Sequence, residues 1–222
     1  MPQLRSEVIE LIGLPGSGKS LASARLGSLC DIPIVDGTRR ALPGSGLMGR
    51  MRAFAAAPVV SSLCYLCVST RRGVRADNLR RVFEIQARYL HLKNLPKGEQ
   101  MVLDEGPVHA VFIALFGTGE TKTSRFFLRS LARRLSRGVG AYLCLEIPLT
   151  QIMTNLEQRD EPRSRFNRHM SEREKSELLA DRSYGEILRA LSNADSARMI
   201  HLTAGADDVT ADLIRALKNR VG

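Results

Sequence analysis

Residues Glu7 to Ser20 read Glu-Val-Ile-Glu-Leu-Ile-Gly-Leu-Pro-Gly-Ser-Gly-Lys-Ser. An apolar strand runs straight into Gly-x-x-x-x-Gly-Lys-Ser, the full P-loop pattern. Each residue type has a physical task there. Gly13, Gly16 and Gly18 give access to backbone angles, including positive φ, that turn successive N–H groups toward an anion. Lys19 brings a positive charge to the β- and γ-phosphates, and the Ser20 hydroxyl is a ligand for Mg²⁺. The residues after it, Leu21-Ala-Ser-Ala-Arg-Leu26, suit a helix whose positive end faces the phosphates. The expected nucleotide cradle is therefore Gly13, Pro15, Gly16, Ser17, Gly18, Lys19, Ser20 and Leu21. The motif fixes a nucleotide triphosphate with Mg²⁺ as the expected ligand and leaves open what is done with it.

The chain has 222 residues, 44% of them hydrophobic, enough for one substantial core. One domain over 1–222 is expected, an α/β unit with inserted substrate-binding segments. The net charge of +10 attracts nucleic acid, anionic lipid and phosphorylated small molecules alike. With no Trp and 5% aromatic residues, a base-stacking platform for single strands is disfavoured. The N-terminus lacks the apolar core of a secretion signal. The uncharged run from Ala53 to Thr70 contains Pro58, Ser61, Ser62, Ser69 and Thr70, and reads as a buried helix rather than a membrane span. Cys64 and Cys67 form a CxxC without a second pair or a histidine at zinc spacing. Reduced structural thiols in a cytoplasmic protein are expected.

Along the chain, apolar strands alternate with helical patterns, which predicts a parallel sheet covered on both faces. Strands are expected at Asp31–Asp36, Gln100–Leu103, Ala141–Ile147 and Arg198–Thr203. Helices are expected over about Ala57–Thr70, Asp77–Asn94, Val108–Phe116, Ser124–Ser136, Pro148–Gln158 and Ser171–Ser192, with a closing one over Asp207–Arg220. In Asp77–Asn94, the residues Leu79, Val82, Phe83, Gln86 and Leu90 fall at helical spacing, with Arg88 off that face. Ser171 and Glu174 have the spacing of a capping box.

Two further constellations carry chemistry. Met-Val-Leu-Asp104-Glu105 is an apolar strand ending in carboxylates, and Asp104 is the expected Mg²⁺ ligand with Ser20. Glu105 has three open roles: polarising a water, tuning the metal's surroundings, or touching an acceptor. The segment Arg159–Arg168 is charge-dense and broken by Pro162. It reads as a flap that excludes water, with Arg159, Arg163 and Arg165 available to grip phosphate oxygens.

In this order of parts the chain resembles the P-loop small-molecule kinases, in particular the nucleoside-monophosphate and thymidylate-kinase-like group. The resemblance implies a three-layer P-loop fold with a five-stranded parallel sheet flanked by helices. It also implies a helical acceptor region over about 36–95, a lid at 159–168, and adenine near Thr203–Gly205. Thymidylate kinases place Asp-Arg and an aromatic residue after the Asp104 strand; this chain has Glu105-Gly106-Pro107. By analogy with deoxynucleoside kinases, Asp36 is positioned to accept the acceptor's proton. Arg39, Arg40, Arg71, Arg72 and Arg75 are candidates for an acceptor phosphate. The leading expectation is a kinase transferring the ATP γ-phosphoryl group to a small acceptor, with a nucleotide or nucleoside among the candidates. The alternative is an ATPase that couples hydrolysis, through Glu105, to binding a macromolecule. A third class is a non-catalytic module that meets nucleic acid through Arg125, Arg129, Arg133 and Arg137, which recur every four residues. The oligomeric state is open.

Overall fold

The computed structural model describes residues 8–30, 32–35, 54–95, 101–158, 177, 181–195 and 199–202. Five parallel strands form one sheet: β1 (Val8–Gly13), β2 (Ile34–Val35), β3 (Met101–Leu103), β4 (Ala141–Leu145) and β5 (Met199–Leu202), in the order β2-β3-β1-β4-β5. β1 lies at the centre, and all six of its residues are buried. A parallel strand covered on both faces has no solvent side, which is why it reads as an almost unbroken apolar run. Register places Glu10 beside Leu103 on one flank and Tyr142 on the other.

The helices are α1 (Lys19–Cys30), α2 (Pro58–Ser69), α3 (Ala76–Lys93), α4 (Pro107–Leu115), α5 (Lys122–Leu135), α6 (Leu149–Gln158) and α7 (Ser183–Asp195). α1 covers one face of the sheet, where Ala22 and Leu26 meet Ile9, Leu11, Val102 and Leu143. The larger core lies on the other face. There Val8, Ile12, Leu103 and Tyr142 meet residues of α2, α3, α4, α5 and α7. The α/β class and the five-stranded parallel sheet of the sequence reading are observed.

Three expectations change. The helix expected over Ser171–Ser192 does not run unbroken. Asp181 and Arg182 are not helical, and α7 starts at Ser183. Asp181 Oδ1 accepts from the Ser183 N–H at 2.8 Å, and its Oδ2 accepts from Gly117 N–H at 2.7 Å. Such a local side-chain bond offers the backbone an alternative to the helix. In α3, Ile85, Ala87 and Asn78 are buried with Val82 and Gln86, while Leu79, Phe83 and Leu90 are half-buried. This helix packs on both α2 and α4, so one apolar stripe does not describe it. Arg88, read as off the face, has a side chain only 11% exposed. Finally, α5 ends at Leu135 and Arg137 lies in the following 3₁₀ turn, so only the first three stripe arginines share the helix.

Cys64 and Cys67 are free buried thiols on α2. Burial pushes both thiols up, which makes them inert packing groups. Among the described residues, no helix is long and apolar enough to cross a membrane.

Candidate active site

The P-loop joins β1 to α1. Gly16 and Gly18 both have φ of 81°, the left-handed region that favours glycine. Gly13 is needed for a different reason from the one its motif suggests. A Cβ there would lie 2.3 Å from Ser17 Oγ, so the residue serves a close approach rather than a positive φ. Lys19 is buried and donates to Gly13 O at 2.9 Å and Leu14 O at 3.0 Å. Pro15 and Ser17 are buried, whereas Ser20 and Leu21 are exposed at the start of α1.

α6 braces this loop from behind. Asn155 Nδ2 donates to Gly16 O at 2.8 Å, and a Cβ on Gly16 would lie 2.9 Å from both Ile152 O and Leu156 Cγ. The sequence reading missed Asn155; a single polar residue on an amphipathic helix gives no signal of its target.

β3 pairs directly with β1, so Asp104 and Glu105 emerge beside the strand that leads into the P-loop. Asp104 N–H reaches Val35 O of β2 at 3.4 Å. Arg88 holds the next residues. Its Nη2 donates to Glu105 Oε2 at 3.0 Å and its Nη1 to Glu105 O at 3.1 Å. A guanidinium that grips side chain and backbone together fixes the turn as well as the carboxylate. His109 Nε2 lies 3.8 Å from Glu105 Oε1, too far for a hydrogen bond. The buried imidazole is held well below its ordinary pKa by burial first, then by the charges of Lys19 and Arg88. A buried imidazole so lowered is neutral at physiological pH.

Underneath the turn sits Glu10, fully buried in the middle of β1. Its Oε1 accepts from Val108 N–H at 2.8 Å and His109 N–H at 3.2 Å, two of the otherwise unpaired amides at the start of α4. Desolvation pushes its carboxyl up to about 7, against the two backbone donors and Arg88, which favour the charged form. Gly106 makes room for it: a Cβ there would fall 2.3 Å from Glu10 Cδ. Glu10 is not among the site residues expected from the sequence; a carboxylate inside an apolar strand is the one local signal of it, and its partner, 98 residues away, leaves none.

The structure thus brings Gly13–Leu21, Asp104 and Glu105 to the carboxyl ends of the inner strands β1 and β3, and adds Glu10, Arg88, His109 and Asn155. Asp36, Arg39, Arg40, Arg159, Arg163, Arg165 and Thr203–Gly205 lie outside the described residues, as does Asp207–Arg220. Arg71, a candidate for an acceptor phosphate, is withdrawn from that role: its side chain is 0% exposed and meets Glu186 at 2.8 Å. Ser20 and Asp104 are both oxygen donors, the set that Mg²⁺ prefers. Among the described residues no three His, Cys, Asp or Glu side chains cluster as a metal cage. Two protein oxygens completed by phosphates and water fit the way Mg²⁺ is held in nucleotide sites.

Comparison with solved structures bears on the fold. Deoxyadenosine kinase from M. mycoides with bound dATP superposes with a TM-score of 0.56 at 14% identity, covering 96% of this chain and 99% of that one. The same enzyme with products dCMP and dCDP gives 0.54 at 13% identity over 96% and 99%. The fold is that of the P-loop kinases. Thymidylate kinase from Candida albicans shares this kinase fold with a TM-score of 0.54 at 16% identity, covering 97% of this chain and 92% of that chain. No protein-family model matches the sequence, and no curated protein matches it.

Proposed function

We propose that this chain is an ATP- and Mg²⁺-dependent phosphotransferase that moves the γ-phosphoryl group of ATP to a hydroxyl of a small acceptor. The P-loop amides and Lys19 hold the β- and γ-phosphates; Ser20 and Asp104 would hold Mg²⁺, which would supply charge neutralisation at the phosphates. The acceptor oxygen attacks phosphorus, the bond from phosphorus to the β–γ bridging oxygen breaks, and ADP leaves with that electron pair. Asp36 receives the hydroxyl proton, and Arg159, Arg163 and Arg165 close over the moving group and exclude water. Residues 36–95 supply the acceptor's walls. Nucleosides and nucleotides are the first acceptors to test, because the deoxyadenosine kinase structures that share this fold hold dATP, dCMP and dCDP. Function in the cytoplasm accords with the free thiols.

The observation that favours transfer over hydrolysis is the Arg88–Glu105 clamp. An ATPase reading needs Glu105 to orient a water at the γ-phosphate. Here its carboxylate is bound by a guanidinium that also holds its own backbone, which suits a fixed wall of the acceptor site. The Glu105→Gln variant tests this. The amide keeps the shape of the side chain, so ADP release should remain dependent on an added acceptor, with its rate reduced by less than about tenfold. Acceptor-independent turnover that disappears in Glu105→Gln would instead support the ATPase.

A further inference from the structure

A second charged cluster lies between α5 and α7, and none of the P-loop residues, Asp104 or Glu105 lines it. A cavity of about 70 Å³ is bounded by Glu120, Arg125, Arg129, Glu186, Arg189 and Asn193 over a floor of Leu128 and Ala190. Its two carboxylates are already matched. Glu120 takes both branches of Arg125, at 3.0 and 2.6 Å, and this bond holds its carboxyl below the usual range. Glu186 meets the buried Arg71 at 2.8 Å, and that guanidinium is fixed further by Thr118 Oγ1 at 2.6 Å and Thr118 O at 3.1 Å. Arg129 comes from α5 and Arg189 from α7. Among the described residues neither has a carboxylate within ion-pair distance; Arg189 Nε only reaches Gly185 O of its own helix, at 3.3 Å.

We infer that this cavity is a binding site for a phosphate group, either inorganic phosphate or the phosphate of a small phosphomonoester. Two guanidinium groups from facing helices, neither in an ion pair among the described residues, leave three arginines against two carboxylates around one small concavity, an excess of positive charge. Planar forks on either side suit the oxygens of one tetrahedral dianion, and the Asn193 amide adds a neutral donor. The already paired Glu120–Arg125 and Arg71–Glu186 hold the walls, so the site does not have to be assembled by its ligand. Size selects the class of ligand. A polynucleotide would need the exposed basic surface that runs on through Arg133 to Arg137 in the following turn, whereas this concavity of about 70 Å³ has room for a single anionic group.

The test is equilibrium dialysis with ³²P-labelled inorganic phosphate, after saturating the P-loop with a non-hydrolysable ATP analogue and Mg²⁺. The expected result is one phosphate per chain in the presence of the analogue. Arg129→Ala and Arg189→Ala should each weaken it about tenfold, the scale of one charge-assisted hydrogen-bond pair. Arg133→Ala should leave it unchanged. Both arginines are exposed, so circular dichroism and melting of the variants should match the parent, and analogue binding should persist. Phosphate binding that is absent once the P-loop is filled would overturn the site. So would binding that survives Arg129→Ala with Arg189→Ala, or that falls equally in Arg133→Ala, which is the pattern of a diffuse basic face for nucleic acid. A glycerol 3-phosphate arm separates the two ligand sources. Competition with labelled phosphate at comparable concentration indicates a monoester site, and failure to compete restricts the site to the free ion.

Discussion

Replacing Glu10 by glutamine separates a buried titrating carboxyl from a neutral group of the same shape. Burial raises the Glu10 pKa from 4.5 to about 7 in the folded chain. Between those values the native state holds more protons than the unfolded state, so stability falls as pH rises through this window. The contribution is fully present below pH 4.5 and is lost as the pH passes about 7. At about 1.4 kcal/mol per pH unit of displacement, the loss between about pH 5 and about pH 8.5 is about 2 to 3 kcal/mol. Glu10→Gln removes the titration and keeps an oxygen that can accept from Val108 and His109. Its fixed cost, whatever its size, does not vary with pH, and the His109 titration is common to both chains. Urea unfolding followed by circular dichroism at several pH values across that range gives the two stability curves. They should converge, or cross in favour of the Glu10→Gln variant, by about 2 to 3 kcal/mol as pH rises. Parallel curves, differing by a constant within about 0.5 kcal/mol, would refute the argument that desolvation dominates at this residue.

Gly106→Ala should destabilise the chain by about 2 to 4 kcal/mol, because the new methyl overlaps a carboxyl held by two backbone donors. Adding Glu10→Ala should recover part of that loss in the same unfolding assay. Asn155→Ala should weaken ATP-analogue binding about two- to tenfold with little change in melting temperature, since it removes one brace from Gly16 O. Arg71→Met strands Glu186 in the interior and should cost about 3 to 5 kcal/mol, whereas Arg71→Met with Glu186→Leu should regain most of it.

What the sequence disclosed follows from the range of the forces involved. The P-loop and the strand ending at Asp104 are local patterns, and the sheet formed around them as their spacing implies. The uncharged run from Ala53 to Thr70 reads as a buried helix, and α2 does occupy 58–69 of it, but it buries one face only. Val60, Cys64, Cys67 and Val68 lie inside and Val59, Tyr65 and Leu66 are exposed, because absence of charge does not mark which side of a helix meets the core. Long-range polar contacts had no such signature. Arg88 sits among several arginines of α3, and nothing local marks it as the one that reaches Glu105. Arg71 was a candidate for an acceptor phosphate, and its fate was set by Glu186, far along the chain in a different helix. The break at Asp181 was hidden because α7 and the residues before it share a helical composition. One side-chain oxygen, bonded to Ser183 N–H, decided where the helix begins.

Transfer to an acceptor is the central claim, and the fate of the γ-phosphate tests it most directly. The chain is incubated with [γ-³²P]ATP, Mg²⁺ and a panel of nucleosides, nucleoside monophosphates and other small hydroxyl compounds, and the products are separated by chromatography. The account predicts that with one class of acceptor the label moves into an organic phosphate in a one-to-one ratio with ADP, and that Asp104→Asn abolishes the transfer. Label that appears only as inorganic phosphate, at the same rate with every compound and with none, would contradict it.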